Sequence, residues 1–181
     1  MPSLPLLVRP STPAALDALR DIYAHAVTQG TGTFELETPD APEMARRRDD
    51  VLAKGLPWLV AETPGRVLGY AYATPFRPRP AYRFSVEDSV YLHPEAQGRG
   101  VGRALLAELL ARCQAGGARQ MLAVIGDSAN HASIGVHRAL GFEPCGVLQA
   151  VGWKFGRWLD VVLMQRSLGS GALGAAPDGA A

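Results

Sequence analysis

The chain has 181 residues, 48% of them apolar, and carries 18 Lys and Arg against 17 Asp and Glu for a formal net charge of +1. That length fits one domain with a sizeable core. The near-neutral balance provides no long-range field for nucleic acid or an acidic membrane surface, so a nucleotide-like ligand has to be held by a local site. The two cysteines, Cys113 and Cys145, lack metal-ligand spacing. Residues 1–10 have no basic segment ahead of an apolar run, and the most apolar helical stretch, Ala104–Ala111, is interrupted by Glu108. Neither a secretory signal nor a membrane span is expected, so free thiols in a reducing cytoplasm follow as the default.

In chain order, Leu6–Arg9 reads as a strand, and Thr12-Pro13 opens a helix reaching about Thr28, which Gly30 and Gly32 break. Asp40-Ala41-Pro42-Glu43 offers a capping box for a second helix, stopped by Gly55 and Pro57; its Arg46-Arg47-Arg48 run is expected to be a solvated face. Trp58–Glu62 and Val67–Tyr72 flank a Pro-Gly turn and form a hairpin, and Phe84–Leu92 is a long strand. Gly100–Ala115 is an amphipathic helix with Val101, Leu105, Leu109 and Cys113 four apart. Met121–Ile125 is a buried strand, and Asn130–Leu140 is a helix closed by Gly141. Phe142–Val151 and Leu159–Arg166 form a last strand pair. The order β-α-α-β-β-β-α-β-α-β-β implies a mixed α/β (α+β) domain over residues 1–168, built on one central sheet. Residues 169–181, rich in Gly and Ala, are expected to be disordered.

The most informative segment is Gln97-Gly98-Arg99-Gly100-Val101-Gly102, placed after a strand and a His-Pro turn and before a helix. Alternate glycines let the backbone approach a ligand, and the free amides and dipole at the helix start favour an anion. Arg99 and Arg103 add charge, so the construction suits a phosphate or pyrophosphate. A P-loop would need Lys and then Ser or Thr after the last glycine, where this chain has Arg103-Ala104. A dinucleotide fingerprint would have G-x-G-x-x-G near the first strand, whereas this G-x-G-x-G lies late in the chain.

These residues resemble the Q/R-x-x-G-x-G/A signature of GNAT acetyltransferases, and Asn130–Phe142 resembles that family's N-x-x-S-x-x-x-Y-x-x-x-G-F segment. Ile22-Tyr23, Trp58–Glu62, Ala81-Tyr82, Ser89–Tyr91 and Ala123–Gly126 are similar to phosphinothricin acetyltransferases. Val151–Asp160 is similar to methionine sulfone and sulfoximine acetyltransferases. The resemblance runs from about Leu6 to Leu168 and implies a mostly antiparallel twisted sheet flanked by helices, with a β-bulge beside the thioester. It implies acetyl-CoA as co-substrate, with no metal. The cofactor would be held by Val90, Tyr91, Leu92, Gln97, Gly98, Arg99, Gly100, Val101, Gly102, Arg103, Asn130 and Ser133. Asn130 serves equally as the N-cap of its helix.

Transfer to an amine needs a base, a polarised carbonyl and a stabilised leaving thiolate. Strand alternation sends the adjacent acids Glu87 and Asp88 to opposite faces. The resemblance gives Glu87 the general-base role, acting directly or through a water. His137 stands where many relatives have the tyrosine that protonates the thiolate; it is either that donor or a satisfied buried histidine. The segment from Phe76 to Arg83 is stiff, basic and aromatic. The resemblance places Arg77, Arg79, Tyr82 and Arg83, with Phe34 from between the first two helices, around an anionic amino-acid-like acceptor. A protein or peptide N-acetyltransferase and a non-catalytic acetyl-CoA-binding module remain as alternatives. The resemblance also implies a homodimer, in which Trp153, Phe155 and Trp158 either form the interface or cap the partner's acceptor pocket.

Overall fold

The computed structural model describes residues 6–176. Strand β1 (Leu7–Pro10) leads through a short 3-10 turn, Pro13–Ala15, into α1 (Leu16–Gln29). Thr12 starts this turn without a side-chain cap; its carbonyl accepts from Ala15 N–H at 3.0 Å. Helix α2 (Ala41–Ala53) is capped as expected at its front, with Asp40 Oδ1 accepting from Glu43 N–H at 2.9 Å. The capping box is only half formed, because the Glu43 carboxylate turns to Arg46 and Arg47. There follow β2 (Trp58–Thr63), β3 (Arg66–Pro75), β4 (Ser85–Leu92), α3 (Val101–Ala115), β5 (Gln120–Gly126), α4 (His131–Ala139), β6 (Glu143–Lys154) and β7 (Arg157–Ser167).

The seven strands form one sheet in the order β1-β2-β3-β4-β5-β7-β6. All neighbours are antiparallel except β4 and β5. The period-two alternation of β2 divides the core. Leu59 and Ala61 join Leu105, Leu106 and Leu109 of α3 on one face. Trp58 and Val60 join Leu19 and Tyr23 of α1 and Tyr70 of β3 on the other. Helices α1 and α2 lie against β2, β3 and β4. The structure corrects the expectation of a wholly buried β5: Met121, Ala123 and Ile125 point inward, while Val124 is 38% exposed.

Two further sequence expectations change. The arginine run is not a uniformly solvated face. Arg48 is buried, and its guanidinium donates to Ser11 Oγ and to Ser11 O, both at 2.8 Å. It thereby ties α2 to the end of β1, because one position in each helical turn must face the core. Arg47 bridges Glu43 and Glu35, and only Arg46 stays on the surface. At the start of the tail, Arg119 Nε donates to Gly171 O at 2.7 Å, and Leu168, the last residue ahead of it, is buried against the core. Residues 177–181 of the segment expected to be disordered lie outside the described residues.

Arg48→Met should lower unfolding stability by about 1–3 kcal/mol, because it strands the Ser11 acceptors, while Arg46→Met should change it by less than about 0.5 kcal/mol. Urea denaturation of the two variants side by side checks this; equal effects would contradict the buried role of Arg48.

Candidate active site

The site is built where two neighbouring strands stop pairing. Parallel β4 and β5 are in register from Ser85↔Gln120 only to Asp88↔Ala123. Beyond that, β5 continues along β7 to Gly126↔Val161, and β4 continues along β3 to Gly69↔Leu92. A wedge therefore opens beside Ser89–Leu92, into which alternate backbone groups of β4 point without a strand partner. The bulge expected near Glu87–Ser89 is not there. The β3–β4 ladder runs without a register shift from Gly69↔Leu92 to Pro75↔Val86. The free strand edge arises because β5 follows β7, which supplies it with a partner along its whole length.

The glycine segment closes the wide end of the wedge. Gly98 and Gly100 have φ of +69° and +81°, the left-handed region that favours glycine. Gly102 is a close approach: a Cβ there would stand 3.3 Å from Leu92 Cδ1, and the Leu92 side chain would have to give by a few tenths of an ångström. Gly100 is the N-cap of α3 and has no side chain to cap it. The first hydrogen bond to close the helix is Ala104 N–H to Gly100 O at 3.0 Å, which leaves the amides of Val101, Gly102 and Arg103 pointing out of the helix start. Gln97, Arg99 and Arg103 are exposed around this cradle, and the Arg99 guanidinium reaches back to Glu95 O at 3.4 Å. Amides and helix dipole thus favour an anion at this position, with Arg99 and Arg103 exposed on the segments beside it. Val90 and Leu92 pack their side chains on the α3 side, and Tyr91 packs on Tyr23 and Tyr70 at 4.9 and 5.3 Å. These three residues can face the wedge only through their backbone.

Glu87 and Asp88 do take opposite faces of β4. Glu87 lies on the α1–α2 side, next to Ser89 and Tyr72, at the end of the strand where Pro75 and Phe76 lead into the basic loop. Burial pushes its carboxyl pKa up, the Asp88 charge adds to the rise, and Arg77 is the cation that opposes it. Arg77 stacks on Phe76 at 5.0 Å, and Phe76 meets Tyr82 edge-on at 5.7 Å. Arg79 and Tyr82 are exposed on the same loop. The structure does not bring Arg83 to this group. Its guanidinium lies over Phe84 and lines a cleft with Arg112 and Cys113 at the C-terminal end of α3. Phe34 stands between α1 and α2, 37% exposed, with its ring against the backbone of Gly152. A cavity of about 660 Å³ at the β1 edge contains none of these residues.

Asp88, on the α3–α4 side, finds His137 of α4. His137 Nε2 and Asp88 Oδ2 are 2.9 Å apart, with both side chains at most 5% exposed. The other ring nitrogen, Nδ1, donates to Ser133 O at 2.7 Å. Both nitrogens are therefore spent on protein partners. This geometry favours the reading of His137 as a satisfied buried histidine. Burial pulls its pKa down, but the Asp88 hydrogen bond and charge, helped by Ser133 O, carry it up overall. Asn130 acts as the N-cap of α4, accepting from Ser133 N–H at 3.2 Å, with its Nδ2 3.4 Å from Gly126 O. Sequence reasoning undervalued Asp88; the available signal was an acid inside an apolar strand together with a histidine on the inward stripe of an amphipathic helix.

An amide cradle at a helix start, a wedge between two parallel strands and a partly buried carboxylate define a site for acyl transfer from a thioester carried by a pyrophosphate-bearing ligand. The Acetyltransferase (GNAT) family profile matches residues 16–142, and the chain belongs to that family. A phosphinothricin N-acetyltransferase of Alcaligenes faecalis is 58% identical over 156 residues, 86% of this chain and 79% of the relative. An L-methionine sulfoximine/L-methionine sulfone acetyltransferase of Pseudomonas aeruginosa is 42% identical over 89% of this chain and 94% of its own length. The crystal structure of a Sinorhizobium meliloti phosphinothricin acetyltransferase in complex with AcCoA superposes with a TM-score of 0.93 at 48% identity, covering 96% of this chain and 94% of that one.

Asp88→Asn tests the buried pair. A histidine whose folded pKa is raised adds stability below its unfolded pKa of about 6.5 and loses it as pH rises through the folded value. The wild type should exceed Asp88→Asn by about 3 kcal/mol near pH 5.5, and by less near pH 9. Urea unfolding at the two pH values measures this; a gap that widens with pH would contradict it.

Proposed function

We infer that the chain transfers the acetyl group of acetyl-CoA directly to the amino group of a small, anionic, amino-acid-like acceptor of the phosphinothricin, methionine sulfoximine or methionine sulfone type. The observation that carries this reading is the meeting, at one parting of the sheet, of the Gly98–Gly102 amide cradle with a carboxylate, Glu87, whose pKa is raised by burial. In this reading the pyrophosphate of acetyl-CoA rests on the start of α3, and the pantetheine arm runs down the wedge as a surrogate strand along Val90–Leu92. The thioester then arrives near Ser89, where a free β4 amide can polarise its carbonyl. Glu87 takes a proton from the acceptor ammonium, directly or through a water, and the freed amine attacks the carbonyl carbon. The C–S bond breaks, the acylated nitrogen gives up its second proton to solvent as the neutral amide forms, and the leaving CoA thiolate takes a proton from solvent, since His137 is committed to Asp88 and Ser133. Arg77 and Arg79 are placed to receive the acceptor's acidic group, with Phe34 and Tyr82 as apolar walls.

A homodimer belongs to the same reading. Residues 143–151 of the edge strand β6 are exposed throughout. Val147, Val151, Trp153, Phe155 and Trp158 are each at least 50% exposed on the β6–β7 hairpin. A second copy is the natural cover for so large an apolar surface beside the site. A cytoplasmic location completes the reading; no helix of the described residues is long and apolar enough to cross a membrane.

Glu87→Gln should cut kcat/KM for the amine by about 10²- to 10⁴-fold and leave the acetyl-CoA Kd unchanged. The acid limb of the wild-type pH–rate profile should lie above the ordinary glutamate range and vanish in the variant. Thiol release with phosphinothricin and methionine sulfone, alongside calorimetry with CoA, supplies both readings; a variant as active as the wild type at neutral pH would remove Glu87 from the mechanism.

A further inference from the structure

Lys154, the last residue of β6, is a buried ammonium with no acid partner in ion-pair range among the described residues. It is 2% exposed. Removing such a charge from water is costly unless its hydrogens are used. Here Nζ donates to Thr33 O at 2.7 Å and to Gly30 O at 2.9 Å, with the Phe155 ring 5.0 Å away. Burial lowers its pKa and Glu35, the one acid felt at this position, raises it. The two carbonyls belong to the segment between α1 and α2 that carries Phe34. A compact ammonium with three donors can serve both carbonyls at once.

The same segment is gripped from other sides. Tyr23 Oη and Thr33 Oγ1 are 3.0 Å apart in a buried hydrogen bond. A Cβ on Gly126 would stand 2.2 Å from Thr31 O, so the end of β5 touches this backbone directly. A Cβ on Gly152 would stand 2.6 Å from the Phe34 ring. Lys154 and Gly152 are alternate residues of one strand and face inward together, one holding the backbone beside Phe34 and the other seating its ring. We propose that Lys154 is a positioning residue for acceptor binding: its ammonium fixes the Gly30–Phe34 segment as a wall of the acceptor pocket and so sets affinity for the amine. This inference rests on the acceptor reading given under Proposed function.

The test is Lys154→Met, which keeps the stem and removes the donors. Amides of residues 31–36 should exchange with deuterium at least about tenfold faster, and KM for methionine sulfone or phosphinothricin should rise about tenfold, as for a lost charge-assisted hydrogen bond. The kcat at saturating acceptor and the CoA Kd should stay within about threefold. Gly152→Ala keeps Lys154 in place and displaces only the ring; it should raise the same KM while exchange in 31–36 stays as in the wild type. Unchanged exchange in Lys154→Met, or faster exchange with an unchanged acceptor KM, overturns the inference while the wild-type activity stands. A wild type that neither acetylates nor binds these acceptors would bring down the functional reading, and the role of Lys154 with it.

Discussion

The site depends on one constraint: β4 and β5 pair as parallel strands for four residues and then separate, each following a different neighbour. Parting two strands inside a sheet leaves backbone donors and acceptors that must be satisfied by something other than protein. A ligand with an extended, amide-bearing arm can take the place of the missing strand. In the proposed reading the glycine cradle at the start of α3 receives the ligand's charged end, and Leu92 of β4 packs close beneath Gly102. The wedge comes from β5 leaving β4 to follow β7, and the β4–α3 connection places the cradle at the end of the strand so exposed.

The two acids of β4 show how strand alternation divides labour. Asp88 is the last residue to pair with β5, and its side chain anchors α4 through His137. Glu87, one residue earlier, faces the opposite layer, where burial and the neighbouring Asp88 charge favour its protonated form. Asp88 thus holds the helix beside the wedge through His137, and its charge adds to the burial that raises the pKa of Glu87. A charge retained at such cost in the interior is better explained by this double duty than by stability alone.

Much of this was legible in the residues. Element order, the helix stop at Gly55, the caps at Asp40 and Asn130 and the opposed directions of Glu87 and Asp88 all follow from local rules, because caps and alternation involve few neighbours. The wedge was not legible as such: the strand opening was expected as a bulge, and whether a free edge comes from a bulge or from partners diverging is decided by long-range pairing. The fates of Arg48, His137 and Lys154 were hidden for the same reason. Each is a polar residue satisfied by a partner distant in the chain, Ser11, Asp88 and the Gly30–Thr33 backbone respectively. The resemblance grouped Arg83 with Arg77, yet Arg83 follows the turn at Pro80–Tyr82 and lines a cleft with Arg112 and Cys113 at the end of α3.

In the proposed reading, backbone amides at the parting of the sheet hold the pyrophosphate and arm of acetyl-CoA. Titrating CoA into the isotopically labelled full chain and following amide resonances tests it most directly. The account predicts saturable shifts concentrated in Gly98–Arg103 and Ser89–Leu92. Saturable binding that leaves both segments unmoved, or no binding by the folded chain, would contradict it.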